Sequence, residues 1–277
     1  MPSTLVLRRS IGAVQALLLL TLSSLQAQRR DFSDWELSCR NRGDWGDRME
    51  RVCNVVEKTI AVPGGTLNVD GRMNGGVTVI GDSRRDILVR AVVEAHARST
   101  SRAEDIAEAI RLRTDDGRIY AEGPDTHGNN EWWSVNFEVH VPPQTDLELH
   151  AHNGGIAVAG VTGMLRMETL NGGIHLDAVN GDVVAETRNG GLHVALDGDH
   201  WEGKGLDATT TNGGVKLSLP RNYSAHLETG TTNGGIDIDF PVMVQGRIGR
   251  RITTDLGRGG ALVRVITTNG GVTIVKQ

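Results

Sequence analysis

The sequence predicts an all-β protein. We expect a β-solenoid, of the parallel β-helix or β-roll kind, built from Asn-Gly-Gly repeats and preceded by a β-rich cap section with one short α-helix. Three observations predict it. The tripeptide occurs seven times, with spacings of 18, 18, 23, 21 and 36 residues from the second copy onward. Apolar residues alternate on both sides of each copy. With 36 Gly and 4% aromatic residues, the composition favours turn-rich β structure. A recurring interval of this size is typical of repeat architectures.

Each repeat is predicted to fold as strand, turn and strand. An apolar–variable–apolar triplet follows every Gly-Gly pair, as in Ile174-His175-Leu176. Positions six, four and two before the Asn are apolar or Thr, as in Leu165, Met167 and Thr169. Such alternation predicts strands with one buried face. Because Asn tolerates the left-handed conformation and Gly reaches positive φ without a Cβ clash, we expect the tripeptide to form the turn.

Two arrangements of these strands remain open. Asn-Gly between alternating strands ordinarily predicts a two-residue hairpin, which would give an antiparallel meander or sandwich. The repeat favours the solenoid, in which the strands pair with their counterparts in neighbouring coils. The Asn residues would then stack in a column, where side-chain amides can form a ladder.

Residues 1–27 are predicted to be a secretory signal peptide. Arg8 and Arg9 precede an apolar run from Ile11 to Leu22, and the segment ends in the small residue Ala27. The run is shorter than the ~20 residues of a membrane-spanning helix. We therefore expect an exported protein of the periplasm or cell surface, with no transmembrane segment after cleavage. Without this segment the chain has 27 Lys and Arg against 34 Asp and Glu, which does not favour a nucleic-acid partner.

Residues 28–60 form a predicted N-terminal segment closed by a disulfide. They contain the two cysteines of the chain, Cys39 and Cys53. In an exported protein such a pair is most simply a structural disulfide. It would close a loop of 15 residues, and the chain-entropy model gives about 3 kcal/mol for a loop of that length. No second Cys pair or Cys/His cluster completes a metal or redox site.

Residues 61–143 are predicted to be the cap section. The first tripeptide, at Asn74, follows a strand that is out of register, since Leu67 and Val69 lie seven and five positions before it. The capping-box pattern that starts at Ser101 predicts a helix over roughly residues 102–112. A strand with Trp133 and Val135 on its buried face follows. This section would cover the open end of the stack, where a bare edge strand invites aggregation.

Residues 144–277 are the predicted regular array. Its longer intervals include a loop over residues 198–205 and a stretch over residues 234–268. That stretch holds either a degenerate coil or a projecting hairpin. If the final coil is left uncovered, it offers a pairing edge for self-association.

Three side chains are candidates for binding. The variable position of the triplet faces outward, so His175 and His193 should stack at about 4.8 Å, the spacing of paired strands. Two imidazoles in one column can bind a metal or sense pH, but no third ligand is evident, and we expect neither a metal nor a cofactor. Of the tryptophans that can stack on sugars, Trp133 is expected in the core and Trp132 is less favoured. Trp201, in the projecting loop, is the preferred exposed contact.

A second outward column places Glu168 beside Glu186, preceded by His150. Paired carboxylates are the acid/base couple of glycan-cleaving enzymes. Arg166 and Arg188 suffice as counter-charges, however, and the sequence lacks Gly-x-Ser-x-Gly, His-Glu-x-x-His and a phosphate-binding glycine loop. The sequence therefore predicts a protein that is not an enzyme.

Taken together, the signal peptide, the Cys pair, the Trp132–Val135 strand and the Thr-x-Asn-Gly-Gly-apolar-x-apolar units resemble the bacterial "putative adhesin" family, a domain of unknown function in envelope and exported proteins. The resemblance implies a β-solenoid-like, noncatalytic envelope protein, and the family has no catalytic residues to carry over. We expect an adhesin-like scaffold that binds an envelope protein or glycan. The alternatives are a glycan-active β-helix enzyme, a lyase or hydrolase, and a self-assembling structural envelope protein.

Overall fold

The computed structural model describes Cys39 and residues 49–126, 130–239 and 250–277. The chain divides into two units, Met1–Arg42 and Gly43–Gln277, and the architecture below is that of the second. The predicted signal peptide, residues 1–27, lies outside the described residues. So do residues 28–38 and 40–48 of the predicted disulfide-closed segment.

Nearly all of the regular structure in the described residues is β-strand. The elements in chain order are β1 Glu50–Ile60, β2 Leu67–Asp70, β3 Val77–Gly81, β4 Ile87–Ala97, α1 Thr100–Ala109, β5 Arg111–Arg113, β6 Arg118–Glu122, β7 Trp132–Val141, β8 Leu147–Ala151, β9 Ile156–Ala159, β10 Thr162–Thr169, β11 Ile174–Asp177, β12 Asn180–Asn189, β13 Leu192–Ala195, β14 Gly205–Asn212, β15 Val215–Leu219, β16 Ala225–Asn233, β17 Ile236–Ile238, β18 Arg251–Leu256, β19 Leu262–Asn269 and β20 Val272–Lys276.

The strands form two sheets. Sheet A has the order β1-β4-β7-β3-β9-β11-β13-β15-β20-β17, and sheet B has the order β5-β6-β2-β8-β10-β12-β14-β19-β16-β18. Each coil of the stack contributes one strand to each sheet, joined by an Asn-Gly-Gly turn. Pairing between coils is parallel, and antiparallel pairs occur only toward the ends of the sheets.

Within the stack, equivalent residues of successive coils lie opposite one another. Ile174 pairs with Leu192 in sheet A, and Leu165 pairs with Val183 in sheet B. Strands therefore pair with the next coil and not across their own turn. The antiparallel hairpin arrangement that the sequence left open is not the one formed, because the inward apolar rows pack best when stacked coil on coil.

The interior of the stack consists of these inward rows. Leu165, Val183 and Ile174 have exposed fractions of 1% or less. Five of the seven tripeptides have a Thr two positions before the Asn, and each of these Thr side chains is buried with its hydroxyl hydrogen-bonded. Thr187 Oγ1 donates to the carbonyl of Gly172 in the previous coil at 2.7 Å, and Thr210 does the same to Gly190. A buried hydroxyl without such a partner would cost free energy.

The Asn-Gly-Gly turns differ from the prediction in their backbone conformation. None of their Asn or Gly residues has a positive φ. The first glycine is required by close approach instead: a Cβ on Gly172 would lie 2.1 Å from the carbonyl oxygen of Gly154 in the neighbouring coil. A Cβ on the second glycine, Gly173, would meet only contacts of 3.1 Å or more. The turn is thus shaped by coil-to-coil packing.

At one end of sheet A, β1, β4 and β7 form an antiparallel layer, and helix α1 packs against β4 and β1. The helix begins earlier than predicted because Ser99 is its N-cap, and the Ser99 side chain accepts a hydrogen bond from the Arg102 backbone. It ends at Ala109, before Ile110 in extended conformation. Its buried face carries Ala103, Ile106 and Ala107.

The last coil of the sequence is not the last coil of the stack. β20 pairs in parallel with β15 on one side and with β17 on the other. Likewise β19 lies between β14 and β16. The condition for self-association through an uncovered final coil is therefore not met. Within the 234–268 interval β18 returns antiparallel along β16, while residues 240–249 lie outside the described residues.

Both cysteines are disulfide-bonded, and Cys53 lies in β1. In the part of the chain that the structure describes, no helix has the length and apolar character needed to span a membrane.

Candidate functional site

A pocket with a volume of about 770 Å³ lies beside the first Asn-Gly-Gly turn. Three segments line it: residues 71–74 of that turn, residues 121–126 at and after the end of β6, and residues 130–135 before and at the start of β7. Its size falls within the range of about 300–1,000 Å³ typical of small-molecule sites. We take it as the candidate functional site.

The turn at the pocket contains one more residue than the other turns. Leu67 pairs with Leu147 in register, although Leu67 lies seven residues before its Asn and Leu147 lies six before its own. Arg72 accommodates the extra residue with a φ of 55°, and the Arg72 backbone N–H donates to Asp70 Oδ1 at 2.7 Å. As a result Met73 projects, with 56% of its surface exposed.

Trp132 forms an aromatic wall of the pocket. It lies opposite His96 in the antiparallel pair of β4 and β7, and the two rings stack with centroids 3.7 Å apart. Burial lowers the pKa of His96, outweighing the nearby Glu94 carboxylate, which raises it. The imidazole is therefore neutral at pH 7 and acts as a flat support. It covers one face of the indole, while 39% of Trp132 stays exposed.

The second tryptophan, Trp133, is held in place by residues 123 and 124. Its Nε1 donates to the carbonyl of Pro124 at 2.9 Å, and its ring packs over Gly123. A Cβ at Gly123 would lie 2.7 Å from the Trp133 ring, so this position requires glycine. Trp133 is partly buried against the core, as the alternation predicts.

The charges at the pocket are mostly acidic. Glu122, Asp125 and Glu131 line it, and Arg72 is the one basic residue among the described lining residues. The guanidinium of Arg102 binds Glu131 through two hydrogen bonds, of 3.0 and 2.9 Å, and lowers the pKa of that carboxyl. Arg72 is itself held, since it lies 3.5 Å from Asp70 Oδ2.

An amide ladder runs along the Asn column and ends at the pocket. In each bond a side-chain Nδ2 donates to the Oδ1 of the neighbouring coil toward the pocket. The bonds run from Asn233 to Asn269 (2.7 Å), Asn269 to Asn212 (2.8 Å), Asn212 to Asn189 (2.9 Å), Asn189 to Asn171 (2.8 Å), Asn171 to Asn153 (2.8 Å) and Asn153 to Asn74 (3.1 Å). Asn74 is the final acceptor and lines the pocket.

The predicted exposure of Trp201 is wrong. Its side chain is 3% exposed, and its Nε1 donates to the carbonyl of Gly181 at 3.0 Å. The loop that carries it folds inward because the large indole packs against the core and satisfies its one polar group there. Trp201 therefore offers no surface for a ligand.

The structure places His175 and His193 together, as predicted. They are paired in register on β11 and β13, both are exposed, and their ring centroids lie 5.9 Å apart. Among the described residues, no group of three or more His, Cys, Asp or Glu side chains is arranged to hold a metal ion.

Glu168 and Glu186 also lie side by side, on β10 and β12. Glu168 is 73% exposed, and His150 Nδ1 lies 3.9 Å from its carboxylate. Arg166 contacts Asp182 at 3.4 Å and makes no recorded bond to either glutamate. The two carboxylates project from the outer face of a sheet and do not line the pocket.

The pocket itself was not predicted from sequence. Trp132 was recognised as an aromatic able to stack on sugars, but its exposure depends on a partner 36 positions away, His96. One signal was available: Leu67 and Val69 were out of register by one residue. That shift marks the enlarged turn that forms the rim.

Comparisons with known proteins bear on the repeat region first. Residues 144–275 match the family model described as Toastrack DUF4097. This match supports the predicted resemblance to an adhesin-like family of unknown function. A comparison with curated proteins finds no match.

The solved structures that are similar to this chain include the following three. A putative cell adhesion protein from Clostridium sporogenes shares 10% identity over 81% of this chain and 100% of its own, with a TM-score of 0.45. A putative adhesin from Bacteroides fragilis shares 8%, over 81% and 97%, with a TM-score of 0.36. A putative adhesin from Parabacteroides merdae shares 8%, over 81% and 96%, with a TM-score of 0.33. Scores this low carry no argument about what this chain binds.

Proposed function

We propose that this chain is an exported, noncatalytic scaffold of the cell envelope, adhesin-like in the sense that it binds an envelope glycan or protein. The stack of Asn-Gly-Gly coils is the rigid support, and the pocket beside Asn74 is the binding site. The observation that carries the proposal is Trp132, a lining residue of the pocket whose ring stacks on neutral His96 and which stays 39% exposed.

An exposed tryptophan with one face open favours a glycan over a protein segment at this site. Sugar rings present apolar C–H faces that pack on an indole, while their hydroxyl groups suit a rim of carboxylates and amides. Glu122, Asp125 and Asn130 supply such a rim. Binding sites of this type are mostly apolar, with a few placed polar groups.

The His175/His193 column is a second proposed contact. It lies on the outer face of sheet A, on β11 and β13, away from the strands that form the pocket. Aromatic imidazoles spaced along a flat sheet suit an extended partner. This surface is separable from the pocket by mutation.

The test is a glycan-array screen of the purified protein, run beside a product assay on the same glycans. Trp132→Ala is the pocket variant, and the double variant His175→Ala with His193→Ala is its matched comparison. We expect glycan binding without cleavage, lost in Trp132→Ala and kept in the double variant. Circular dichroism of each variant verifies that the fold is retained.

Other outcomes redirect the proposal. Cleavage of a glycan would overturn the noncatalytic function and direct attention to Glu168 and Glu186. Binding that is lost only in the histidine variant would move the site to the outer column. An absence of any glycan binding would contradict the preference for a glycan and favour a protein partner or self-assembly.

A further inference from the structure

The amide ladder has a direction. All six bonds between neighbouring Asn side chains run the same way, from Asn233 at one end to Asn74 at the other. A chain of aligned hydrogen bonds polarises its members, by perhaps 10–30% per bond. Asn74 accepts the last bond of the ladder, and its own N–H groups donate to no other Asn. These N–H groups are therefore stronger donors than those of an isolated amide.

The Asn74 end of the ladder lies at the pocket. Asn74 Oδ1 accepts from Asn153, so the Nδ2 of the same amide is left over at this end of the ladder. Asn74 is exposed, lines the pocket and donates its Nδ2 hydrogens to no other described residue. The pocket thus presents a polarised N–H donor that is not used by another described residue.

The surroundings of the donor restrict the chemistry of that acceptor. Of the carboxylates that line the pocket, Glu131 is paired with Arg102 and Glu122 with Arg113. Arg72, the one basic residue among the described lining residues, contacts Asp70. No basic side chain among the described lining residues is therefore left to pair with a negatively charged acceptor. Next to Asn74, the thioether of Met73 is 56% exposed and offers an apolar contact. The acceptor is therefore uncharged and carries an apolar group beside it.

From these features, and resting on the proposed glycan-binding function, we propose that the pocket selects N-acetylated, uncharged oligosaccharides. The acetamido carbonyl accepts from Asn74 Nδ2, its methyl group packs on Met73, and a sugar ring lies on the open face of Trp132. An acetamido group joins a strong acceptor and a methyl in one planar unit, whereas a hydroxyl supplies only the acceptor.

The test compares chitotriose with cellotriose, which has the same linkage but a hydroxyl in place of each acetamido group. Isothermal titration calorimetry measures both affinities. The key variant is Asn74→Asp, because its carboxylate still accepts from Asn153 while the terminal donor is removed. Asn180→Asp makes the same charge change away from the pocket and leaves the ladder intact, and its carboxylate still accepts from the Glu202 N–H, so it is the matched control.

We expect the wild-type protein and Asn180→Asp to bind chitotriose at least about fivefold more tightly than cellotriose, the scale of one net hydrogen bond. Asn74→Asp should lose that preference. Equal affinity for both sugars, or a preference unchanged by Asn74→Asp, would overturn this inference. In that case loss of binding in Trp132→Ala would still support the proposed function. If neither sugar binds and the glycan array is also silent, both proposals fail.

Discussion

Replacing the first glycine of an Asn-Gly-Gly turn should be far more damaging than replacing the second. Gly190 is a first glycine, and a Cβ there would lie 2.0 Å from the carbonyl oxygen of Gly172 and 2.8 Å from the nitrogen of Gly173. All these contacts are with backbone atoms, so a change of side-chain rotamer cannot relieve them. Gly190→Ala therefore forces two coils apart at the turn.

The cost follows from the bonds that cross this point. Separation of the coils strains three bonds: the Asn189 N–H to the carbonyl of Leu170, at 2.8 Å, the ladder bond from Asn189 to Asn171, at 2.8 Å, and the Thr187 hydroxyl to the carbonyl of Gly172, at 2.7 Å. Three hydrogen bonds at about 1 kcal/mol each give a loss of about 3 kcal/mol. In a domain of this size that lowers the melting temperature by roughly 5–15 °C.

Gly214→Ala is the matched control. Gly214 is a second glycine, and the nearest atom to its added Cβ is the carbonyl oxygen of Gly271 at 3.5 Å, an ordinary contact. Because alanine also restricts the unfolded chain, this variant should be neutral or more stable by up to about 1 kcal/mol. Thermal unfolding followed by circular dichroism measures both. Melting temperatures of the two variants within about 2 °C of each other, less than the shift from 1 kcal/mol, would refute close packing as the reason for the first glycine.

Three further variants probe buried polar groups. Burial alone would raise the pKa of the Glu138 carboxyl, but hydrogen bonds from His140 and a neighbouring guanidinium hold it below its usual 4.5. The stabilisation by the ionised Glu138 carboxylate is therefore present above pH 4.5 and is lost as pH falls through the folded pKa. In Glu138→Gln, the free energy of unfolding measured in urea should depend less on pH in the acid range. An unchanged slope would argue against this. The pKa of His96 is lowered from 6.5, so the unfolded chain binds more protons and stability falls as pH drops below that value. His96→Phe keeps an aromatic ring stacked on Trp132, and its melting temperature should depend less on pH than that of the wild type. A pH dependence equal to that of the wild type would contradict the lowered pKa of His96. Trp201→Phe removes one buried hydrogen bond and should cost about 1–3 kcal/mol in urea unfolding without changing glycan binding; reduced binding would return this side chain to the candidate contacts.

The strands of the repeat region were predictable because their signal is local. Aligning the chain on Asn identifies the inward rows, and residues such as Leu165 and Val183 face each other as that alignment requires. The same alignment brings His175 next to His193. Period-2 alternation reports burial directly, and equal spacing between units reports stacking.

Features that depend on contacts between residues far apart in the chain could not be predicted from the sequence. The conformation of the turns was predicted from the preferences of isolated Asn and Gly, yet the close approach of Gly172 to Gly154 decides it. Trp201 lies in a polar, glycine-rich loop, and nothing local shows that Gly181 offers it a buried acceptor. The Trp132 wall likewise depends on His96 from another strand.

The position of the last coil has a consequence for how the chain is completed. β16 and β17 are made before β19 and β20, yet the later pair lies between them and the preceding coil. Asn212 and Asn233 are 21 residues apart, an interval like those of directly stacked neighbours. A nascent chain ending before Leu262 thus holds two coils able to close on each other in the same register. The order of the coils in the stack therefore differs from the order of their synthesis, and the final residues must insert between two coils that were made earlier.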